Sequence, residues 1–115
     1  MNQIENLTKI INDFRDARDW RQFHNLKDIA ISLSLEASEV LEHFQWKSTE
    51  EIKKYIKENK KEIADEVADV FYWVLLMSSD LEIDIEKALK NKMIKNAKKY
   101  PVKKAKGKHS KYTKL

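Results

Sequence analysis

The chain contains no cysteine, one glycine (Gly107) and one proline (Pro101). Without thiols there is neither a disulfide framework nor a thiolate site. So little glycine and proline removes the turn punctuation on which β folds depend, and long helices become the expected state. Long apolar runs are missing too. The longest, Val70 to Met77, has eight residues, far short of the roughly 20 that cross a bilayer. The opening segment MNQIENLTKI lacks the apolar core of a secretory signal, so a cytoplasmic location is expected. With 115 residues the expectation is one compact all-α unit with a real core, small enough for oligomer contacts to matter.

Acidic residues are absent from the end of the chain. From Lys87 onward there are 12 lysines and no Asp or Glu, whereas before it 11 basic residues face 19 acidic ones. The body therefore carries −8 and the end +12, for a net charge of +4. A lysine-rich end of this kind is either a solvated surface or a partner for a polyanion: nucleic acid, a membrane surface or nucleotide phosphates.

Periodicity divides the rest into helices. Ile4, Leu7, Ile11 and Phe14 make a first apolar stripe that ends before Trp20. Asp19 to Leu26 breaks the period while carrying Trp20, Phe23 and His24, as an ordered connector would. A second helix is predicted from Leu26 to Trp46, with Leu26, Ile29, Ala30, Leu33, Ala37, Val40, Leu41 and Phe44 on its apolar side. Ser48 with Glu51 is a capping box opening a short polar helix to about Lys57. From about Lys60 to Leu81 follows the most apolar helix. Asp84 caps a last helix that fades near Tyr100 and Pro101. The predicted architecture is a four-helix-bundle-type domain over residues 1–100 and, over 101–115, a basic C-terminal arm or a disordered end.

Two acidic pairs stand out. Glu36 and Glu39 lie in LEASEVLEHFQW, and Glu66 and Asp69 in EIADEVADVFYWVLLM. A spacing of three puts both carboxylates of a pair on one side of a helix. One such pair is usually a solvated face. Two, both set among Leu, Val, Phe and Trp, ask for a cation, because carboxylates resist burial unless paired or bound to a metal. Glu62, Glu66, Asp69 and Trp73 form one seam on the otherwise apolar fourth helix. If the second and fourth helices pack, the pairs converge. Oxygen donors alone select hard cations, Mg2+ or Mn2+, with positions open to phosphates. The di-iron bundle needs Glu-x-x-His, yet His24, His43 and His109 are preceded at three residues by Arg21, Val40 and Lys106.

At these residues the chain resembles the MazG-like all-α nucleoside triphosphate pyrophosphohydrolases, in particular the short branch that includes the dCTP pyrophosphatases. Glu36-Ala-Ser-Glu39 and Glu66-Val-Ala-Asp69 match the metal motif, with Leu35 standing where the family has a first Glu. DWRQFH (Asp19 to His24), FQWK (Phe44 to Lys47), KNAKKYP (Lys95 to Pro101) and SKYTKL (Ser110 to Leu115) look like that branch's signatures. The resemblance implies Mg2+-dependent hydrolysis of a (deoxy)nucleoside triphosphate, with a possible dCTP preference, to the monophosphate and pyrophosphate. Glu36, Glu39, Glu66 and Asp69 would be the ligands, and Glu36 or Glu39 the general base. It further implies a homo-oligomer, a dimer or a dimer-of-dimers tetramer. Trp20, Trp46, Trp73 and His24 would surround the base, against the simpler reading as packing residues. Lys92, Asn96, Lys99 and Lys111 would meet phosphates. Ile11 and Trp73 stand where related animal enzymes have His and Tyr. The competing readings are a nucleic-acid-binding helical protein and an oligomerisation module with a structural ion. Under the favoured reading no specific nucleic acid and no membrane are partners.

Overall fold

The computed structural model describes all 115 residues, and its ordered elements are all helical. Helix α1 spans Gln3–Ala17, α2 Leu26–Glu42, α3 Thr49–Asp80, α4 Ile85–Lys99 and α5 Val102–Ala105. Short 3-10 turns occupy Arg21–Phe23 and Tyr112–Lys114. No helix is long and apolar enough to cross a membrane. Where length alone suggested one compact unit, the packing resolves into two, Met1–Glu82 and Ile83–Leu115.

In the first unit the N-caps are the ones the sequence chemistry favours. Asn2 with Glu5 and Ser48 with Glu51 form capping boxes, and the Asn25 side chain accepts from the Asp28 amide at 2.8 Å. The break expected after Lys57 is a kink and not a loop. Asn59 leaves helical geometry at φ −123°, ψ 19°, and its side-chain amide donates to the Tyr55 carbonyl at 3.0 Å, satisfying a group the kink would expose. Helix α2 stops at Glu42, and His43 to Trp46 form turns in which Phe44 and Gln45 amides both donate to the Leu41 carbonyl at 2.9 Å. Short of glycine, the chain puts Asp19 (φ 52°) and Glu82 (φ 55°) in left-handed backbone.

Helix α3 is the spine: α2 packs along it, and α1 packs on it too. The buried apolar core is narrow, made of Ile29, Leu75 and Leu76. Leu26 and Leu41, expected on the buried stripe of α2, are exposed, as are Leu35, Val67 and Phe71. The deepest side chain of α1 is charged. Arg15 is 0 % exposed and grips Asp80 with two hydrogen bonds, Nη1 to Oδ2 at 2.9 Å and Nη2 to Oδ1 at 2.7 Å. Asn12 accepts from Arg15 at 3.0 Å and donates to the Ser79 hydroxyl at 3.0 Å. This bidentate pair pins α1 to the end of α3.

In the second unit α4 is capped by Asp84, whose side chain accepts from the Lys87 amide at 3.0 Å. Lys98 and Lys99 fill the last turn of α4, where cations complement the helix dipole. Of the two alternatives for residues 101–115, an arm or a disordered end, the structure has an ordered arm. Tyr112 packs edge-on against Tyr100, ring centres 6.0 Å apart, and the Lys99 ammonium lies 4.8 Å over the Tyr112 ring. Gly107, at φ 77°, permits the turn after α5. Both rings stay partly open to solvent, Tyr100 39 % and Tyr112 41 % exposed, so the pair tethers the end of the chain without burying it.

Candidate active site

Two of the four singled-out carboxylates open onto one cavity of about 410 Å3 in the first unit. Glu36 comes from α2 and Asp69 from α3, and the facing walls are Trp20, His24, Tyr72 and Trp73. Ile10, Ile11 and Phe14 of α1 close the remaining side. The aromatic rings meet edge to face: Tyr72 and Trp73 at 5.1 Å, His24 and Trp73 at 5.4 Å, Phe14 and Trp20 at 5.6 Å. Tyr72, Phe14 and Ile10 carried no chemical signal in the sequence, and Ile11 was marked only by the resemblance, as standing where related animal enzymes have His. Phe14 and Ile11 belonged to a stripe read as packing, and Tyr72 neighbours the seam residue Trp73.

Glu36 is the electrostatic focus. Its Oε2 is buried without a hydrogen-bond partner. Burial raises the carboxyl above its ordinary value. The Glu39 side chain adds to this through a hydrogen bond and its charge, followed by the charges of Asp69 and Glu66. Asp69 and Glu39 are exposed, and Glu66 is half-buried. The α2–α3 pairing thus makes the acidic pairs neighbours. As the side chains stand, no three acidic or imidazole groups form a ready ligand set. The donor chemistry nonetheless fits a hard divalent cation: oxygen ligands, an unpartnered buried oxygen, and mutual repulsion that a cation relieves. One measurable consequence is that Glu36→Gln raises the melting temperature of the metal-free protein, whereas saturating Mg2+ at about 100 times Kd adds about 2.7 kcal/mol to the wild type. Calorimetry with and without Mg2+ checks both, and a destabilised Glu36→Gln would contradict the repulsion.

His24 is held neutral at physiological pH. Burial lowers its pKa first, and the positive charges of Arg15 and Arg21 lower it further. Its Nδ1 is buried and unpartnered, hence free to bind a ligand group. Burial raises the Tyr72 pKa, keeping that hydroxyl a proton donor.

The other predicted site residues lie elsewhere. Trp46, in the turn after α2, is 87 % exposed and does not line the cavity. Lys92, Asn96, Lys99 and Lys111 all belong to the second unit. There Lys98, Lys99 and Lys104 surround a separate cavity of about 360 Å3 with Pro101, Tyr112 and Leu115. Asn96 is half-buried, its amide 3.8 Å from the Met93 sulfur, and Lys92 and Lys111 are exposed.

Comparison with known proteins gives concordant results. The MazG-like family profile matches residues 31–115. The chain is similar to dCTP pyrophosphatase 1 of Rattus norvegicus, with 32% identity over 114 residues, covering 97% of this chain and 67% of that protein. Against dCTP pyrophosphatase 1 of Homo sapiens the identity is 28%, with the same coverage. Among solved structures it is similar to a pyrophosphatase from Archaeoglobus fulgidus, at TM-score 0.83 and 39% identity, covering 88% of this chain and 94% of that one.

Proposed function

Since the chain belongs to the MazG-like family, we propose that it is a Mg2+-dependent hydrolase converting (deoxy)nucleoside triphosphates, dCTP among them, to monophosphate and pyrophosphate. The observation that carries the reading is the unpartnered Glu36 oxygen, amid three further carboxylates, at the wall of an aromatic cavity. Glu36, Glu39, Glu66 and Asp69 hold the cation, with Mn2+ as a substitute. A divalent cation held there would neutralise charge on the phosphates and lower the pKa of water. Of the four, Glu36 or Glu39 would also serve as the general base that accepts a proton from the attacking water.

Trp20 and Trp73 stack the base, and neutral His24 presents Nδ1 to its polar edge. Within the second unit, Lys92, Lys99 and Lys111 offer cations and Asn96 an amide donor of the kind that phosphate oxygens accept from. The enzyme acts as a homo-oligomer, a reading supported by the exposure of Leu35, Leu41, Trp46 and Val67 on α2, the turn after it and α3. Nucleotide-pool maintenance is the corresponding cellular role.

The test is release of pyrophosphate, as distinct from orthophosphate, across a panel of dNTPs and NTPs with Mg2+ or with chelator. Orthophosphate as the product, or turnover indifferent to chelation, overturns the proposal. Trp20→Ala is expected to raise KM about tenfold or more with little change in kcat, the signature of lost base stacking worth about 1–3 kcal/mol.

A further inference from the structure

His43 was set aside in the sequence because it lacks a Glu three residues before it, yet the fold places it against a carboxylate of the proposed metal set. Its side chain is 12 % exposed, at the C-terminal end of α2. Nε2 contacts Glu66 Oε2, and Nδ1 contacts the Tyr55 hydroxyl. Resting on the metal reading above, we propose that His43 is a positioning residue for Glu66: it holds Oε2 and leaves Oε1 for the cation, with Tyr55 fixing the imidazole.

The proton inventory supports this order. An ionised carboxylate only accepts, so the nitrogen facing Glu66 carries the proton. In a neutral ring Nδ1 is then an acceptor, and the Tyr55 hydroxyl donates to it. The relay Tyr55–His43–Glu66 runs in one direction, a hydrogen bond from Tyr55 to His43 followed by a close contact from His43 to Glu66. The His43 Nε2 and Glu66 Oε2 pair makes contact without hydrogen-bond alignment, and both atoms are otherwise unpartnered and buried. Nothing else competes for either.

The environment of Tyr55 also suits a support. The Lys47 ammonium lies 4.1 Å over its ring, Phe44 meets it edge-on at 6.4 Å, and His43 lies at 5.6 Å. Tyr55 precedes the Asn59 kink and Glu66 follows it. Through His43, the end of α2 and both limbs of α3 meet at one carboxylate. The kink thereby sets the angle from which Glu66 is held. Partners that orient metal-binding carboxylates in this way govern affinity for the ion.

The experiment is titration of free protein with Mn2+ alone, read by electron paramagnetic resonance of unbound Mn2+, on His43→Leu, His43→Gln, Tyr55→Phe and Glu66→Gln. His43→Leu is expected to weaken Mn2+ binding about 10- to 100-fold. His43→Gln restores most of it, because an amide N–H replaces Nε2. Tyr55→Phe weakens binding less and adds nothing on top of His43→Leu. The Mg2+ concentration for half-maximal velocity rises in parallel, while base preference stays fixed. If Glu66→Gln loses Mn2+ and His43→Leu binds it like wild type, the positioning role fails alone. If Glu66→Gln leaves Mn2+ binding intact, the metal reading fails and this one with it. Circular dichroism confirms folding. Should His43→Leu not fold, Tyr55→Phe, which deletes one hydroxyl, decides: unchanged Mn2+ affinity there overturns the relay.

Discussion

If Glu36 and Asp69 hold the cation as proposed, Glu36→Gln and Asp69→Asn are each expected to lower pyrophosphate release by on the order of 10^3-fold at saturating nucleotide, since each removes an oxygen donor and a charge from the proposed cation site. The substitutions keep side-chain shape, so the loss is chemical. For Glu36→Gln the distinction is sharp, because relief of repulsion with Glu39, Asp69 and Glu66 is expected to make the metal-free variant more stable than wild type. A stabler protein that does not turn over is the outcome that separates a reaction centre from a structural cluster. Full activity in both variants would remove the carboxylates from the chemistry. A helical nucleic-acid binder would behave oppositely, since phosphodiester binding through the lysine-rich end would survive both changes and fall steeply with salt.

Arg15→Ala is expected to cost about 3 kcal/mol of stability, toward the lower end for a broken buried ion pair because the Asp80 side chain remains 17 % exposed. For a chain of this size that corresponds to roughly 10 °C in melting temperature. Removing the guanidinium leaves Asp80, Asn12 and the Ser79 hydroxyl facing a void. Replacing both partners with leucine is expected to recover most of the loss, since two buried charges are exchanged for packed apolar groups. Function should suffer as well. α1 contributes Ile10, Ile11 and Phe14 to the cavity, so a loosened α1 raises KM.

The pair also predicts a pH dependence. Hydrogen bonds from Arg15 hold the Asp80 carboxyl below its ordinary value, outweighing the opposing effect of burial. A depressed carboxylate contributes stability above its unfolded value of about 3.9 and loses it as pH falls through the folded value. Melting temperature should therefore drop steeply below about pH 4 in wild type and less steeply in Asp80→Asn, measured by thermal denaturation between neutral and acid pH. Parallel curves would remove the pair from the acid response.

The composition and spacing sufficed for the helical class, for the capped starts at Ser48 and Asp84 and for the position of the break near Asn59. They also sufficed to place Glu36 with Glu39 and Glu66 with Asp69 on single helix faces, because a three-residue spacing is a property of one helix alone. Trp20, His24 and Trp73 were singled out from the same text and stand around one cavity with Glu36 and Asp69. Tertiary structure alone decided the rest. Periodicity reports which side of a helix is apolar and not what it packs against, so Leu41 and Leu26 are exposed while charged Arg15 is buried. Arg15 and Asp80 are 65 residues apart, and His43 reaches both Tyr55 and Glu66 across the kink. Such pairings depend on how two helices pack in space, which no local pattern of residues encodes.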